Sequence, residues 1–141
     1  MTFTVTEFPD GYRIADPTDP FELGAGPFYR PSDDDLVPEF VLRAEARHCN
    51  AFGIVHGGML MTLTDLAMCA TSRTDMRDHS VATVSYNSEF LAPARSGELI
   101  VARAEVLRRT GSFAFMRALV QADGRPVLSC SAVIKLLKPR N

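Results

Sequence analysis

The sequence lacks the features that would place it in a membrane, outside the cell or on nucleic acid. No apolar run approaches the roughly 18 residues that a membrane-spanning helix needs. Residues 1–15 have neither the basic segment nor the apolar segment of a signal peptide. The net charge of −2 leaves no excess of basic residues for nucleic acid. We therefore expect a cytoplasmic protein that binds neither membranes nor nucleic acid.

Cysteine is scarce, and its spacing favours neither disulfides nor a metal site. Cys49, Cys69 and Cys130 are odd in number, widely spaced and outside any Cys-x-x-Cys pattern. Such cysteines are typical of reduced thiols in a cytosolic chain. The group His48, Cys49 and His56 has poor spacing for zinc and no second cluster to complete it, so we expect no metal.

What is present is the composition of a single globular domain. The chain has 141 residues, of which 46% are apolar and 23% are charged, close to ordinary globular usage. Residues 1–38 differ, because they hold six of the nine prolines and the acidic run Asp33–Asp35. Since proline fixes φ and removes a backbone donor, we interpret residues 1–38 as a mostly irregular, proline-rich arm. Its aromatic residues predict that it packs on the core of a domain formed by residues 39–141.

From Glu39 onward the spacing of apolar residues predicts regular structure. Residues 40–46 alternate with the period of a β-strand. The spacing of one helical face is met by four apolar residues, Met59, Leu63, Leu66 and Ala70. We predict a helix that begins at Gly57 or Gly58, ends near Thr71, and is buried nearly all round because its other positions are also apolar.

The remainder of the chain has the pattern of four strands, at residues 81–91, 98–108, 113–121 and 127–137. Asp123-Gly124, between the last two strands, is a strong hairpin signal. Short connections favour antiparallel neighbours, so we expect a meander of four strands. One helix that is buried all round needs cover on most of its surface. The sequence therefore predicts an α+β fold in which an antiparallel β-sheet wraps around one long central α-helix.

One stretch carries a distinctive set of polar groups, Asn50-x-x-Gly53-x-x-His56-Gly57-Gly58-x6-Asp65. Further along the chain come Phe90-Leu91-x-Pro93-Ala94, Gly97 and Asp123-Gly124. Together they resemble the hotdog-fold acyl-CoA thioesterases, in the phenylacetate-pathway thioesterase-like branch of the 4-hydroxybenzoyl-CoA thioesterase superfamily. The resemblance spans about residues 40–137. It implies a hotdog fold and hydrolysis of a CoA thioester to a free acid and CoA, with no cofactor other than CoA as part of the substrate.

The resemblance also assigns roles to individual residues. A Gly-Gly pair at a helix start leaves backbone N–H groups unpaired at the positive end of the helix dipole, and a carbonyl can approach them closely. The resemblance implies the Gly57 N–H as the oxyanion donor, with the Asn50 side chain helping to polarise the carbonyl. Asp65 is the candidate general base or nucleophile, and spacing does not decide between them. Thr83 falls where related enzymes carry a hydroxyl that helps hold water, which favours water activation. His56 is interpreted as an anchor for the loop that aims Gly57.

Purely structural interpretations of the same residues stay open at this point. Gly57 and Gly58 could permit close helix–strand packing. The Asp65 carboxylate could form a hydrogen bond with the hydroxyl of Thr62 or Thr64.

The coenzyme is expected to bind near a basic turn. The turn contains Arg108, Arg109, Thr110, Gly111 and Ser112, and guanidinium groups pair well with phosphates. The resemblance places the nucleotide of CoA near this turn and near the loop that begins at Pro93, with Gly58 completing the predicted binding residues. The arginines could equally serve only to keep a hairpin tip soluble.

The acyl pocket is less defined. Candidate lining residues are Met59, Met61, Met68, Phe28 and Tyr29, which could equally be ordinary core. Tyr86 or Asn87 could receive a ring hydroxyl. The sequence therefore leaves a medium-chain and an aryl acyl group both open.

The helix geometry predicts a homodimer at minimum. Asp65 lies eight residues beyond Gly57, which is about 12 Å along the helix axis. A carboxylate reaches only a few ångströms, so it cannot serve a carbonyl held on the Gly57 amide of its own chain. A two-fold dimer would place Asp65 of one chain opposite Gly57 of the other. The resemblance extends this expectation to a homotetramer of two dimers.

Two other functions compete with thioester hydrolysis. A non-catalytic, regulatory acyl-CoA binding protein could use the same pocket, although binding alone needs no buried carboxylate. A hotdog-fold hydratase would lack the His-Gly-Gly entrance and use a differently placed Asp/His pair.

Overall fold

The computed structural model of the chain describes residues 10–32 and 38–139. The acidic run Asp33–Asp35, on which the interpretation of the arm partly rests, lies outside the described residues. So do residues 1–9, which belong to the segment considered for a signal peptide. The elements of the described residues are β1 (Tyr12–Ile14), α1 (Pro20–Ala25), β2 (Tyr29–Pro31), β3 (Glu39–Arg43), a 3₁₀ turn (Ala46–His48), α2 (Gly57–Ser72), β4 (Ser80–Phe90), β5 (Leu99–Arg109), β6 (Phe113–Ala122) and β7 (Arg125–Leu137).

The strands form one antiparallel sheet in the order β1-β2-β3-β5-β6-β7-β4. Helix α2 packs against the middle of this sheet, chiefly on β5 and β6. The predicted α+β architecture, an antiparallel sheet on one long central helix, is confirmed. Within residues 10–32 and 38–139, no helix has the length and apolar character that crossing a membrane would require.

Local sequence signals predicted the long elements well. Strands β4 to β7 begin and end within two residues of their predicted limits, and α2 covers the predicted helix. The turn between β6 and β7 places Asp123 at φ 46° and Gly124 at φ 81°. Two successive residues with positive φ are what a two-residue hairpin turn of type I′ requires, and Asp-Gly tolerates them. This hairpin is confirmed.

The predicted four-stranded meander is wrong at its first connection. β4 pairs with β7, whereas β5 pairs with β3 and β6, so β4 and β5 are not neighbours. The connection, residues 91–98, can reach about 26 Å when extended, and three strand spacings need only about 14 Å. It is therefore long enough to carry the chain from one side of β5–β6–β7 to the other. It is tied down on the way, because Leu91 N donates to Val127 O and Val55 N donates to Ala94 O.

Helix α2 is buried along one side only, which corrects the expectation of burial all round. Its buried side chains are Leu60, Leu63, Thr64, Ala67, Met68 and Ser72. Of the four apolar residues whose spacing places them on one helical face, only Leu63 is fully buried. The opposite side carries Met61, which is 38% exposed, and the partly exposed Asp65 and Cys69. A single sheet covers one side of a helix, so this open side of α2 is left uncovered in one chain.

The proline-rich arm packs on the core through Phe28 and Tyr29. Phe28 and Tyr29 are fully buried, and Tyr29 in β2 pairs with Val41 in β3, which extends the sheet. These two aromatics and Met68 are therefore core residues rather than pocket residues. The division of the chain at residue 38 stays a prediction.

The short helix α1 of the arm is fixed at both ends. Asp19 caps its start by accepting a hydrogen bond from Glu22 N at 2.9 Å. At its other end the 3₁₀ turn acts as a clamp. His48 Nε2 contacts Ala25 O at 2.9 Å, and the Arg47 guanidinium donates to Gly24 O and Gly26 O. Burial lowers the pKa of His48, which keeps its ring neutral and suited to this contact.

Candidate active site

The start of α2 leaves one backbone donor unused. His56 is the N-cap, and its Nδ1 accepts a hydrogen bond from Gly58 N at 2.9 Å. Met59 N donates to the His56 carbonyl at 2.8 Å. Among the described residues the Gly57 N–H then has no hydrogen-bond partner. The capping role of His56 agrees with its predicted structural interpretation and decides which amide stays available at the positive end of the helix.

The Asn50 side chain shapes the loop before α2. Its Oδ1 accepts hydrogen bonds from Phe52 N at 2.9 Å and from Ile54 N at 3.2 Å. Gly53, at φ 75°, takes the left-handed conformation that closes this loop, which explains its place in the motif. Because the oxygen holds two N–H groups, the amide orientation is determined and Nδ2 remains as a donor.

Gly57 and Asn50 line one cavity of about 360 Å³, which we call the amide cavity. Phe90, Leu91 and Pro93 form its opposite wall. The Phe90 ring lies so close to Gly57 that a Cβ there would stand 3.0 Å from Phe90 Cε1 and Cζ. Glycine at position 57 therefore permits both this contact and the approach of a ligand to the amide.

Two turns further along, Asp65 pairs with a residue of the sheet. Thr83 Oγ1, on β4, donates a hydrogen bond of 2.6 Å to Asp65 Oδ1. The β4–β7 register shifts between Thr83 and Ser85, an irregularity of the kind that re-aims side chains. Among the described residues no hydrogen bond reaches Asp65 Oδ2.

The hydroxyls proposed as structural partners of Asp65 bond elsewhere. Thr62 Oγ1 donates to Gly58 O at 2.8 Å, and Thr64 Oγ1 lies 2.7 Å from the Tyr86 hydroxyl. Neither Thr62 nor Thr64 is therefore the hydroxyl that Asp65 contacts, and Thr83 takes that place.

Cys69 is a neighbour of this pair that the sequence interpretation missed. Its Sγ lies 3.3 Å from Thr83 Oγ1 and 3.9 Å from Asp65 Oδ1. Burial raises the pKa of the Cys69 thiol to about 11, so the thiol is neutral near pH 7. The available signal was its spacing, since residues i and i+4 of a helix share a face.

Asp65 and Cys69 line a second cavity of about 240 Å³, which we call the carboxyl cavity. Arg73 from the end of α2 and Glu22 from the arm helix α1 also line it. The amide cavity and the carboxyl cavity share no lining residue. Within one chain, the two halves of the predicted site are therefore separate.

Glu22 has an unusual environment for a carboxyl group. Burial, reinforced by the carboxylates of Asp19 and Asp16, raises the pKa of Glu22 to about 7. Its Oε1 is buried and has no hydrogen-bond partner among the described residues. No sequence pattern marks Glu22, because it lies in the irregular arm, 43 residues before Asp65.

The predicted CoA-binding residues fall at two different ends of α2. Pro93 lies in the wall of the amide cavity, near the start of the helix with Gly58. The turn 108–112 joins β5 to β6 at the other end, where Arg109 forms an ion pair of 2.5 Å with Asp75 in the loop after α2. Arg108 is exposed. One chain therefore does not gather these residues at one place.

The remaining residues of the turn shape its backbone. Thr110 Oγ1 accepts hydrogen bonds from Phe113 N at 3.0 Å and Ser112 N at 3.3 Å. Gly111 is exposed, with open space where a side chain would stand.

Comparison with known proteins identifies the family of this chain. The sequence pattern of the thioesterase superfamily matches residues 52–129, more than half of the chain. Protein PA0474 of Pseudomonas aeruginosa is 29% identical over 129 residues, which cover 91% of this chain and 96% of that protein. Human acyl-coenzyme A thioesterase 13 is 34% identical over 74 residues, which cover 52% of this chain and 53% of that enzyme.

A solved structure supports the fold independently. The structure of a variant of the phenylacetic acid degradation protein PaaI of Thermus thermophilus aligns with a TM-score of 0.72. The alignment has 24% identity and covers 83% of this chain and 98% of that one. The residues matched by the family pattern include the whole of α2 and of β4 to β6, and these elements carry Gly57, Asp65 and Thr83. The chain therefore belongs to the thioesterase superfamily and has its hotdog fold.

Proposed function

We propose that the protein hydrolyses acyl-CoA thioesters to a free acid and CoA, at two equivalent sites formed across a homodimer. One observation carries the proposal. The unpaired Gly57 N–H and the Asp65 carboxylate, which accepts from Thr83, lie on the same helix, in two cavities that share no lining residue. Family membership and the similarity to an acyl-coenzyme A thioesterase support the reaction class.

The two halves cannot act together within one chain. Gly57 and Asp65 are eight residues apart on α2, about 12 Å along its axis. A two-fold axis next to the open side of α2 would bring the carboxyl cavity of one subunit to the amide cavity of its partner. Each dimer would then contain two complete sites.

The amide cavity would hold and polarise the thioester carbonyl. The Gly57 N–H would donate to the carbonyl oxygen, and the Asn50 amide nitrogen would be the second donor. Both are preorganised, one by the His56 cap and the other by the loop hydrogen bonds of Asn50. Removing one such donor typically costs ~10²–10³ in kcat.

The carboxyl cavity would supply the attacking water. Thr83 Oγ1 donates a hydrogen bond to Asp65 Oδ1, so Thr83 Oγ1 retains lone pairs that can accept a hydrogen bond from the water. Oδ2 would take a proton from that water as it attacks the carbonyl carbon. Collapse of the tetrahedral intermediate would then break the C–S bond and release CoA as the thiolate. Direct attack by Asp65 to form an anhydride is the alternative.

The edge strand β4 is the surface on which we place the dimer contact. It is 11 residues long and lies at the end of the sheet beside the open side of α2. Its apolar side chains Val84 and Phe90 are each 55% exposed. A long edge with unpaired backbone groups and exposed apolar side chains is a template for pairing with a second strand. We propose that β4 pairs with β4 of a second subunit.

A tetramer would use the outer face of the sheet, away from α2. Three apolar side chains are exposed on β5 and β6, namely Leu107, Phe115 and Leu119. Exposed apolar side chains grouped on one sheet face are typical of an interaction surface. We propose this face as the contact between two dimers.

The dimer would also gather the CoA-binding residues. The turn 108–112 lies at the Ser72 end of α2, and Pro93 lies at the Gly57 end. Pairing opposite ends of two helices brings the turn of one subunit toward Pro93 and Gly58 of its partner. Arg108 is the stronger candidate for phosphate, because Arg109 is already paired with Asp75.

Release of free thiol from a panel of acyl-CoA substrates tests the proposal. The panel runs from acetyl to dodecanoyl and includes aryl-acetyl thioesters. Hydrolysis that is lost in Asp65→Asn is the expected result. Tight binding of acyl-CoA without any thiol release would support the non-catalytic binding protein instead.

A further inference from the structure

We propose that Phe52 of one subunit covers the carboxyl cavity of its partner and thereby limits the length of the acyl group. The inference rests on the proposed function, because it uses the same dimer and the same substrate. It goes further in naming a side chain that acts across the subunit interface and selects among acyl chains. Phe52 would contact only the distal part of the acyl group, away from the reacting carbonyl.

Phe52 is an aromatic side chain that a single chain leaves in solvent. It is 85% exposed, the greatest exposed fraction among the large apolar side chains of the described residues. Its backbone is fixed, because Phe52 N donates to Asn50 Oδ1 at 2.9 Å and Gly53 N donates to Asn50 O at 3.1 Å. A side chain on a preorganised loop loses less entropy when a partner covers it. Phe52 is therefore suited to a contact outside its own chain.

The symmetry of the proposed dimer indicates where Phe52 would lie. If Gly57 of each chain faces Asp65 of the other, the two helices run antiparallel, and the two-fold axis passes beside the midpoint of these positions, Met61. A residue beside the axis faces its own copy, and Met61 is an exposed apolar residue on the open side of α2. The loop that precedes Gly57 then lies beyond the partner's Asp65, toward the Ser72 end of that helix. The carboxyl cavity extends along this part of the open side.

The rim of the carboxyl cavity offers an apolar surface for the Phe52 ring. Helix α2 contributes Leu66 and Ala70, and α1 contributes Phe21, which is 66% exposed. Phe52 and the partner's Phe21 can cover each other there, and a pair of aromatic rings is stabilised beyond the area that it buries. Asn50, two residues before Phe52, would donate to the thioester carbonyl. The ring would therefore lie on the distal side of the acyl group.

The size of the carboxyl cavity makes one aromatic ring significant for substrate choice. Its volume is about 240 Å³, below the roughly 300–1,000 Å³ of sites for drug-sized ligands. A phenyl ring at its rim would take up a large share of the space that an acyl chain could use. A longer chain would then have to displace Phe52, which would expose the ring again. The length of the preferred acyl group would follow from the size of the side chain at position 52.

Mixed subunits allow Phe52 to be changed at one chosen site. In a heterodimer of an Asp65→Asn chain and a Gly57→Pro chain, one site is complete, and the Asp65→Asn chain supplies its Gly57 and its Phe52. Phe52→Ala in that chain should raise the ratio of kcat/KM for decanoyl-CoA to that for hexanoyl-CoA at least ~10-fold. The substitution makes room for about two methylenes, each contributing ~4-fold. Both homodimers are inactive, so they do not contribute to the measured rates.

The matched control carries Phe52→Ala in the Gly57→Pro chain instead. There the side chain faces the site that has lost both its N–H donor and its carboxylate, so the ratio should equal that of the heterodimer with Phe52 intact. Native mass spectrometry confirms that the two arrangements contain the same fraction of heterodimer. A ratio that changes in neither arrangement, or equally in both, would overturn the assignment of Phe52.

Photo-crosslinking separates failure of this inference from failure of the proposed function. With benzoylphenylalanine in place of Phe52, irradiation should give a covalent dimer in which the crosslinked peptide comes from α1 or from residues 62–73. If neither the wild-type protein nor the heterodimer hydrolyses a thioester, the proposed function fails, and the crosslink alone decides whether Phe52 contacts the partner's carboxyl cavity. Absence of a covalent dimer, or crosslinks confined to other segments, would exclude that contact.

Discussion

Thr83 donates a 2.6 Å hydrogen bond to Asp65 across the open side of α2, from a strand that begins eight residues after the helix ends. The bond joins the edge of the sheet to the middle of the helix. It fixes Asp65 Oδ1, whereas Oδ2 has no hydrogen bond among the described residues. The carboxylate is thereby oriented before any substrate binds, which is the arrangement expected of a general base.

Asp65→Asn keeps the shape of this side chain but removes its basicity and nucleophilicity. We expect kcat to fall at least ~100-fold, with substrate binding largely retained. Thiol release gives kcat, and titration with a thioether analogue gives the affinity. Near-normal turnover in this variant would rule out the proposed role of Asp65.

Thr83 provides a pair of closely matched variants. Thr83→Ser retains the hydroxyl, whereas Thr83→Val has nearly the same shape and cannot donate to Asp65. Because hydrogen bonds to charged groups contribute roughly 1.5–3 kcal/mol, kcat of the Val variant should fall ~10- to 100-fold below that of the Ser variant. Equal activity of the two variants, with equal melting temperatures, would show that the hydroxyl has no part in catalysis.

Asn50→Asp tests the Nδ2 donor of Asn50 separately from the Oδ1 acceptor that shapes the loop. Both carboxylate oxygens can accept from Phe52 N and Ile54 N, so the loop should keep its shape. The second donor is lost and a negative charge faces the developing oxyanion, so kcat should fall ~100-fold or more. Unchanged kcat in a correctly folded Asp variant would leave Gly57 as the main donor and remove Asn50 from the mechanism.

Mixing two inactive subunits tests the position of the site. Gly57→Pro removes the N–H, and the backbone tolerates it because His56 has φ −58° and ψ 134° and proline is favoured at the first helical position. Mixed with Asp65→Asn subunits, it should restore one site per heterodimer. Random pairing then gives about a quarter of wild-type activity.

Gly57→Ala is the control for this experiment. It adds the same Cβ against the Phe90 ring but keeps the N–H, so it should retain much more activity than Gly57→Pro. If heterodimers form, as native mass spectrometry can establish, and no activity returns, the cross-subunit site is wrong.

The titration of Glu22 should be visible in stability. Its pKa is raised from 4.5 to about 7, first by burial and then by Asp19 and Asp16. Between these values the folded chain holds a proton that the unfolded chain has released, so this contribution to stability is complete below pH 4.5 and lost as pH rises to about 7. Relative to Glu22→Gln, the wild-type melting temperature should fall across this range and stay level above it. Parallel curves for the two proteins would contradict the raised pKa.

The periodicity of apolar residues predicted the limits of the helix and strands, which depend on local sequence. It failed for strand pairing and for the burial of α2, because these depend on packing between segments that are distant in the chain. The limits of α2 and of β4 to β7 follow from patterns within each segment. The pairing of β4 does not follow from such a pattern. The connection at residues 91–98 is long enough to let β4 pair with β5 on one side of β5–β6–β7 or with β7 on the other. The expectation that α2 is buried nearly all round was wrong for a related reason. Nearly every position is apolar, so the pattern carries little information about which side meets the sheet.

The candidate site shows the same division. Gly57 and Asp65 stand out in a motif, and resemblance to a family added Asn50 and Thr83. Cys69 has only its spacing from Asp65 to indicate it, and Glu22 has no local signal at all. Its environment arises when α1 folds over α2, which only the three-dimensional arrangement reveals.

The site that we propose between two subunits, whose halves lie in cavities with no shared lining residue, has a kinetic consequence. When two chains form one catalytic centre, the measured rate depends on the fraction of the chains that are in dimers. At protein concentrations well above the dissociation constant of the dimer, the initial velocity rises in proportion to enzyme. Well below it, the velocity rises with the square of enzyme concentration, since the equilibrium concentration of dimer then varies with the square of the subunit concentration. Specific activity plotted against dilution then becomes a direct readout of subunit affinity.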